Sequence, residues 1–253
     1  MKTNLYRVVI IVLGLVSLMS KSGCYHLTKK QEWNTIAMFD FDKGGIWNIS
    51  LEETDPGLIW SIVDDAGRFS GITQDTEWIG NRIWLPVTGD KCTTIEISGD
   101  FKINQSSGHQ LVGLWGLTDN NKIGWSPLCM YFEGKNGTGC YYIQTRWLKL
   151  KSKRIQKRKT KRGIVFLQGE TAKAVKHEFS NPQKGFHTMK MVLNRESSEI
   201  SYYIDDISLG VVKVEGEIGP ITKVMMDIET PVSGVELDIR YDNLRVRSSG
   251  DIY

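Results

Sequence analysis

The sequence predicts an all-β protein, folded as an antiparallel two-sheet sandwich or as a barrel. Apolar and polar residues alternate in segment after segment, turn-forming residues separate these segments, and no segment has a convincing helical apolar stripe. The 253 residues are 40% hydrophobic and 24% charged, with a net charge of +3. This globular composition excludes disordered, collagen-like and coiled-coil architectures for the chain as a whole.

The clearest predicted strand covers residues 94–103. Ile95, Ile97, Phe101 and Ile103 fall on one face of it, and polar residues fall on the other. A period of two is typical of a half-buried strand. The same alternation recurs in four later segments, 187–193, 200–204, 224–228 and 235–241.

The last of these strands changes phase. Apolar residues alternate up to Tyr241, and the next apolar pair is Leu244 and Val246, so one residue is inserted. An inserted residue makes a β-bulge or a bend. We expect this irregularity near Asp242–Asn243.

The chain shows no division into several domains. It has no internal repeat and no linker rich in proline, glycine or serine. The one helix-leaning window, residues 169–176, is short. We predict one domain at residues 36–248, preceded by a polar tether at residues 25–35.

Residues 1–24 have the features of a secretory signal, because basic residues precede twelve mostly apolar residues and small residues follow. Twelve residues, at about 1.5 Å rise each, cannot cross a hydrocarbon core of about 30 Å. The small residues directly before Cys24 resemble the lipobox of bacterial lipoproteins, which implies lipidation of Cys24. Ordinary cleavage after Ser22 and a buried N-terminal helix are the alternatives. We expect an exported protein: a lipoprotein of the periplasm, outer membrane or cell surface, or a secreted protein.

Export permits disulfides. Cys129 and Cys140 flank a turn, so a cross-hairpin disulfide and two buried thiols both remain open. Cys92 begins a strand and is predicted to be a core thiol. No CxxC pair occurs and the four histidines are scattered, so no zinc site is predicted.

Residues 149–162 form a basic run with nine lysines and arginines and no acid. Residues 25–253 have a formal charge of zero, and without the run they would carry −9. Such local charge argues against a dedicated nucleic-acid binder. The run extends one strand, 141–150, beyond the start of its expected partner, 164–168, which predicts a protruding hairpin tip. This tip could bind polyanions or could be a solvated loop.

The last sixty residues carry a recognisable pattern. A strand at 186–193, a hairpin at 200–210 and the closing segment 241–247 resemble the end of concanavalin A-like (laminin-G-like) jelly rolls. Residues 81–85 and 95–103 resemble the early strands of that superfamily. The resemblance covers roughly 200 residues and concerns the fold. Such domains recur in bacterial secreted glycan-processing proteins.

The resemblance implies two stacked antiparallel sheets, one of them bent into a concave groove that holds oligosaccharides. It also implies a structural calcium where the first and last strands meet. The acids there would be Asp40 or Asp42, together with Asp242, and oxygen ligands suit calcium. Solvated acids at strand ends are the alternative.

Hydrolases of this fold carry Glu-x-Asp-x-x-Glu on one strand, where alternation gives the acids a common face. That pattern is absent here. The nearest piece is Asp227-Ile228-Glu229, which we interpret as part of a solvated strand face.

Lyases of related fold use either a tyrosine–histidine pair or a set of arginine, glutamine and histidine. Tyr142, Gln144 and Arg146 alternate on one face of residues 140–147, where arginine could neutralise a uronate carboxylate and tyrosine could donate a proton. The candidate catalytic residues are therefore Glu133, Tyr142 and Arg146. An ordinary solvated strand face is the alternative.

The chain has eight tryptophans, and sugar rings stack on exposed aromatic rings. Core packing is the alternative for each aromatic residue. The predicted sugar-contacting residues are Trp115, Trp125, Tyr131, Tyr142, Gln144 and Arg146.

Together these features predict an exported, monomeric jelly roll that binds or processes a neutral or anionic oligo- or polysaccharide, with a membrane contact through the lipid anchor alone and no nucleic-acid partner. A glycoside hydrolase or polysaccharide lyase of the same fold is one alternative. A non-catalytic surface lipoprotein for structure or adhesion is another.

Overall fold

Strands dominate the computed structural model. It describes residues 32–41, 50–52, 55–74, 81–88, 90–106, 110–118, 124–133, 139–148, 156–159, 165–168, 171–179, 185–214, 217–230 and 232–252. No α-helix occurs in these residues, and none of them forms a helix long and apolar enough to span a membrane. The predicted all-β fold is confirmed. The predicted signal, Cys24 and most of the tether lie outside the described residues.

The described residues form the following strands: β1 Asn34–Phe39, β2 Ser50–Glu52, β3 Leu58–Val63, β4 Ala66–Ile72, β5 Arg82–Pro86, β6 Cys92–Ser106, β7 Gln110–Thr118, β8 Gly124–Glu133, β9 Gly139–Leu148, β10 Gln156–Lys159, β11 Val165–Gln168, β12 Thr171–Phe179, β13 His187–Asn194, β14 Glu199–Ile204, β15 Ile207–Lys213, β16 Ile221–Glu229 and β17 Glu236–Ile252.

The strands pair antiparallel in two large sheets and one small one. The eight-stranded sheet has the order β15-β14-β13-β6-β17-β4-β3, and β1 also pairs with β17. The seven-stranded sheet has the order β12-β9-β8-β7-β16-β5-β2. Strands β10 and β11 form a separate hairpin. Neighbours in both large sheets are often far apart in sequence, so the sheets assemble through long-range pairing.

One apolar cluster joins the inner faces of the two large sheets. Ile95, Ile97 and Phe101 on β6 are at most 1% exposed, whereas Ile103 is only partly buried at the edge of the cluster. The alternation predicted for residues 94–103 is therefore confirmed. Burying each such side chain contributes about 1.5–3 kcal/mol, so this central strand anchors the sandwich.

The phase change in the last strand is a β-bulge. The register between β17 and β6 shifts between Asp242 and Arg245, and Asn243 adopts a φ of +49°. Asparagine tolerates this left-handed conformation better than most residues. The bulge lets Tyr241 and Leu244, which differ by an odd number of positions, both reach the core.

The segment 169–176 and the basic run depart from the predictions. The helix-leaning window lies mostly in a strand, β12, because pairing with β9 overrides its weak local preference. Strand β9 pairs with β8 and β12, whereas the sequence predicted that residues 164–168 would be its partner. Residues 165–168 instead form β11 and pair with β10, which lies inside the basic run.

Of the two alternatives that the sequence left open for Cys129 and Cys140, the cross-hairpin disulfide does not form. Cys129 is a free, fully buried thiol, and burial raises its pKa to about 12. The register of β8 and β9 pairs Cys140 with Phe132, three residues from Cys129 and therefore on the opposite face of the sheet. Cys92 is also free and packs, partly buried, against the core.

Candidate functional site

The seven-stranded sheet has one face in the core and one turned away from it, which we call the outer face. On β7, Val112 and Leu114 belong to the core cluster, so Gly113 and Trp115 fall on the outer face. The same alternation places Met225, Asp227 and Glu229 of β16 and Arg82 and Trp84 of β5 on this face.

Two acids lie side by side on the outer face. Asp227 is 0% exposed and accepts a hydrogen bond from Trp115 Nε1 at 3.0 Å. Glu229 is 9% exposed, and Arg82 Nη2 donates to its Oε1 at 3.3 Å. The interpretation of Asp227 and Glu229 as a solvated strand face is therefore wrong. Alternation tells which acids share a face but not what covers that face.

Burial and proximity change the protonation of Glu229. Its pKa is raised to about 8, first because the carboxyl is buried and next because the negative charge of Asp227 lies close. Arg82 acts in the opposite direction but does not cancel these effects. At neutral pH the pair therefore carries less negative charge than two ordinary carboxylates.

This pKa makes stability depend on pH. The ordinary pKa of glutamate is 4.5, so between about pH 5 and pH 8 the folded protein holds a proton that the unfolded chain releases. Stability from this group is complete below that window and falls as pH rises through it, by up to about 1.4 kcal/mol per pH unit. We expect urea unfolding to show that Glu229→Gln gains stability relative to the wild type from pH 5 to pH 8.

The matched control is Glu196→Gln, in the exposed turn after β13. Its stability should run parallel to that of the wild type over the same pH range. A Glu229→Gln curve that also runs parallel would show that Glu229 does not hold the proton.

Gly113 makes room for the acid and the indole. A Cβ atom at this position would lie 2.7 Å from Trp115 Nε1 and in steric conflict with Asp227 Oδ1. The register aligns Gly113 with Asp227 on one side and with Met130 on the other. The absence of a side chain there is thus a condition for the Trp115–Asp227 hydrogen bond.

A small apolar cluster continues the outer face. Trp115 and Met225 are buried, and Trp84 and Leu117 pack against them while remaining partly exposed. Lys223 Nζ lies 5.7 Å from the centre of a Trp84 ring, within cation–π distance. Trp84 is therefore the accessible tryptophan of this cluster, although its sequence position gave no sign of that.

Trp115 does not have the exposure that its predicted role needs. Its side chain is 4% exposed and its N–H is bonded to Asp227, so its ring faces cannot receive a sugar. The structure instead makes it a support for the cluster that carries Trp84.

Strand β9 brings the other predicted polar residues to the same face. The register aligns Tyr142 with Met130 and Gln144 with Leu128, and Leu128 in turn with Trp115. Arg146 is aligned with Ser126, two residues further along. By alternation, Tyr142, Gln144 and Arg146 share the outer face with Trp84 and Asp227. The structure describes the backbone of these three residues and not their side chains.

The remaining candidates on β8 belong to the opposite face. Tyr131 is 3% exposed, packs in the core and has its ring 5.9 Å from that of Phe101, so it cannot line an outer groove. Trp125 and Glu133 have the same parity as Tyr131, and the register aligns them with Trp147 and Gly139 of β9. Three of the predicted site residues are therefore separated from the outer face by strand alternation.

Of the predicted calcium ligands, Asp40 directly follows β1 and Asp242 belongs to β17, whereas Asp42 lies outside the described residues. β1 aligns Phe39 with Leu244, which brings the backbone of Asp40 towards the bulge at Asp242. Asp242 accepts hydrogen bonds from the Asn243 backbone and side chain at 2.8 and 3.3 Å. Within the described residues, no group of three or more acids, histidines or cysteines could hold a metal ion. Calcium therefore stays a prediction from the sequence.

Of three comparisons with known proteins, the one with solved structures gives matches. No protein-family model matches the sequence, and no curated protein matches it. Among solved structures, an endo-beta-1,3-glucanase from Pyrococcus furiosus aligns with a TM-score of 0.58 at 11% identity, over 87% of this chain and 95% of that one. A legume lectin-like domain from Entamoeba histolytica aligns with a TM-score of 0.51 at 11% identity, over 83% and 93% of the two chains.

The chain has the concanavalin A-like jelly-roll fold. This confirms the fold that the closing strands suggested. A sialidase also contains this fold, with a TM-score of 0.53 and 12% identity, and there the alignment covers 85% of this chain but 19% of the sialidase. At these identities the likeness concerns the fold alone, so the function of this jelly roll has to be argued from its own residues.

Proposed function

We propose that this jelly roll binds carbohydrate on the outer face of its seven-stranded sheet. The observation that carries the proposal is the alignment of Tyr142, Gln144 and Arg146 on the same face as the half-buried Trp84 and its neighbour Lys223. An aromatic ring offers a stacking surface for the C–H face of a sugar, and amides and cations bind its oxygens.

Binding without cleavage fits the outer face better than hydrolysis. Glycosidases need two carboxyl groups in contact with the scissile bond. Here Asp227 is fully buried and bonded to Trp115, and Glu229 is buried against Arg82. The pair therefore acts as internal support, and it leaves no described acid pair on this face in contact with solvent.

The solved structures of the same fold agree with this proposal at the level of class. Their names are those of a glucanase, a lectin-like domain and a sialidase. From the sequence features of residues 1–24 we also propose that the protein is exported and that Cys24 is lipidated. Its location would then be the cell surface, with secretion as the alternative. A lyase that uses Tyr142 and Arg146 remains the second candidate, because both residues lie on the proposed binding strand.

A glycan array tests the proposal. The purified protein is applied with and without calcium, and both retained glycan and newly formed sugar ends are measured. We expect retention of at least one glycan class without new ends. Trp84→Ala should weaken that retention about tenfold, the loss of one stacking contact of about 1.4 kcal/mol.

The matched control is Ile59→Ala, because Ile59 is 68% exposed on the other sheet and belongs to a strand that does not touch the outer face. It should leave retention unchanged. New reducing or unsaturated ends would instead support an enzyme. If no glycan on the array is retained or cleaved, the proposal is overturned in favour of a structural or adhesion role. Retention that needs calcium would support the predicted site at Asp242.

A further inference from the structure

The basic run contains a strand whose partner offers no compensating charge. Lys157, Arg158 and Lys159 are consecutive residues of β10, and the register aligns them with Leu167, Phe166 and Val165 of β11. No acid occurs in β11 or in the whole run of residues 149–162. Acids on the partner strand would offset these charges, and because β11 supplies none the hairpin keeps a high local positive charge.

The hairpin follows the proposed binding strand in the chain, after residues 149–155, which lie outside the described residues. β9 ends at Leu148, the basic run begins at Lys149, and β11 lies beside β9. A ligand that lies along the outer face past Arg146 therefore comes next to the hairpin. Residues of β9 and of the hairpin can contact one extended chain molecule.

The described side chains of the outer face favour a negative ligand. Its described acids, Asp227 and Glu229, are buried, and Arg82 lies with them. Among the described side chains of this face, the exposed charged residue is Lys223. Among the described side chains of the face, the exposed charge therefore has the same sign as the hairpin; the register also places Glu52 and Glu178 on this face, and their side chains lie outside the described part of the chain.

We infer that the carbohydrate ligand is a polyanionic glycan whose carboxylate or sulfate groups bind the hairpin of β10 and β11 while its sugar rings contact the outer face. This inference rests on the proposed carbohydrate-binding function. Lysine and arginine attract such groups over about 10 Å at moderate salt. Without the basic run, residues 25–253 carry −9, so a broad anionic surface such as a membrane or a nucleic-acid duplex is repelled by most of the domain. A single glycan chain avoids that repulsion.

The test compares three forms of the full protein by calorimetric titration with polygalacturonate, heparin, neutral laminarin, phosphatidylglycerol vesicles and single-stranded DNA. The forms are the wild type, the triple variant Lys157→Gln, Arg158→Gln, Lys159→Gln, and the control variant Lys91→Gln, Lys102→Gln, Lys213→Gln. The control removes the same charge from residues outside the hairpin and outside the seven-stranded sheet. Titrations run at about 50 mM and about 300 mM NaCl.

We expect the wild type to bind at least one of the two polyanions, and to bind it about tenfold more weakly at the higher salt concentration. The hairpin variant should lose about tenfold in affinity at low salt and show a weaker salt dependence, whereas the control variant should stay within about twofold of the wild type. Equal losses in both variants would overturn the inference, because they would indicate a general effect of net charge.

Other outcomes separate the two proposals. Binding of laminarin alone would overturn the polyanion inference and leave carbohydrate binding intact. No binding of any glycan would overturn carbohydrate binding itself. Equal binding of phosphatidylglycerol vesicles or single-stranded DNA, lost in the hairpin variant, would replace the glycan by another class of polyanion.

Discussion

Asp90→Asn is expected to lower the free energy of unfolding by about 3–5 kcal/mol, the cost of leaving one charge of a buried ion pair without its partner. Arg195 donates to both carboxylate oxygens of Asp90, at 2.9 and 2.6 Å, and the side chains are 11% and 1% exposed. The Ile221 backbone N–H donates to the same carboxylate at 2.5 Å. Asparagine keeps one acceptor but cannot satisfy all these donors.

The size of this effect follows from what the pair joins. Arg195, in the turn after β13, also donates to the backbone carbonyls of Ile218 and Gly219, just before β16. It donates as well to the carbonyl of Cys92, the first residue of β6. One arginine therefore connects the eight-stranded sheet to the segment that leads into β16 of the other sheet.

Urea unfolding measures the loss, and Asp64→Asn is the control. Asp64 pairs with Arg240 at 2.7 Å, but its side chain is 77% exposed, so its pair should contribute less than about 1 kcal/mol. Asparagine also tolerates the positive φ of +50° at that position. Equal losses in the two variants would contradict the assignment of Asp90 as a buried structural charge.

The sequence predicts those features of the fold that depend on local alternation. Residues 94–103 show their buried face as a simple pattern of two, and the change of phase after Tyr241 locates the bulge at Asn243. The closing segments suggest the jelly roll because their spacing reflects the same strands. Each of these signals lies within a few neighbouring residues, because the alternation of side chains that causes it is a property of a single strand.

Features that depend on distant partners escape such reasoning. Asp90 and Arg195 are 105 residues apart, and neither belongs to a recognisable motif. The strand β12 takes its form from β9, against its own helical preference. Pairing of this kind is decided by the whole sheet, so a window of one segment cannot show it.

The candidate site shows the same division. Alternation groups Tyr142, Gln144 and Arg146 on one face of β9. To reject Tyr131 as a groove residue, however, one must know which face of β8 is turned to the core, and only the register supplies that. The burial of Asp227 likewise depends on contacts across strands, because its neighbours Trp115 and Gly113 come from β7.

Gly113→Ala is expected to lower the free energy of unfolding by about 2–4 kcal/mol, which adds the overpacking of a methyl group to the loss of a buried hydrogen bond. The new Cβ would lie 2.7 Å from Trp115 Nε1 and would displace Asp227 Oδ1. Neither side chain has free space to retreat into, because Trp115 is 4% exposed and Asp227 is 0% exposed.

A double-mutant cycle with Asp227→Ala isolates this cause. Removing the carboxylate frees space beside residue 113 and lets the Trp115 ring shift, so Gly113→Ala should then cost at least about 1 kcal/mol less than in the wild type. An unchanged cost would show that the strain arises elsewhere on β7.

Gly113→Ala should also affect glycan binding, because Trp115 packs with Met225 beneath Trp84. It should weaken the retention of any glycan whose retention is weakened by Trp84→Ala. Retention that depends on Trp84 but is indifferent to Gly113→Ala would show that the ring does not need this support.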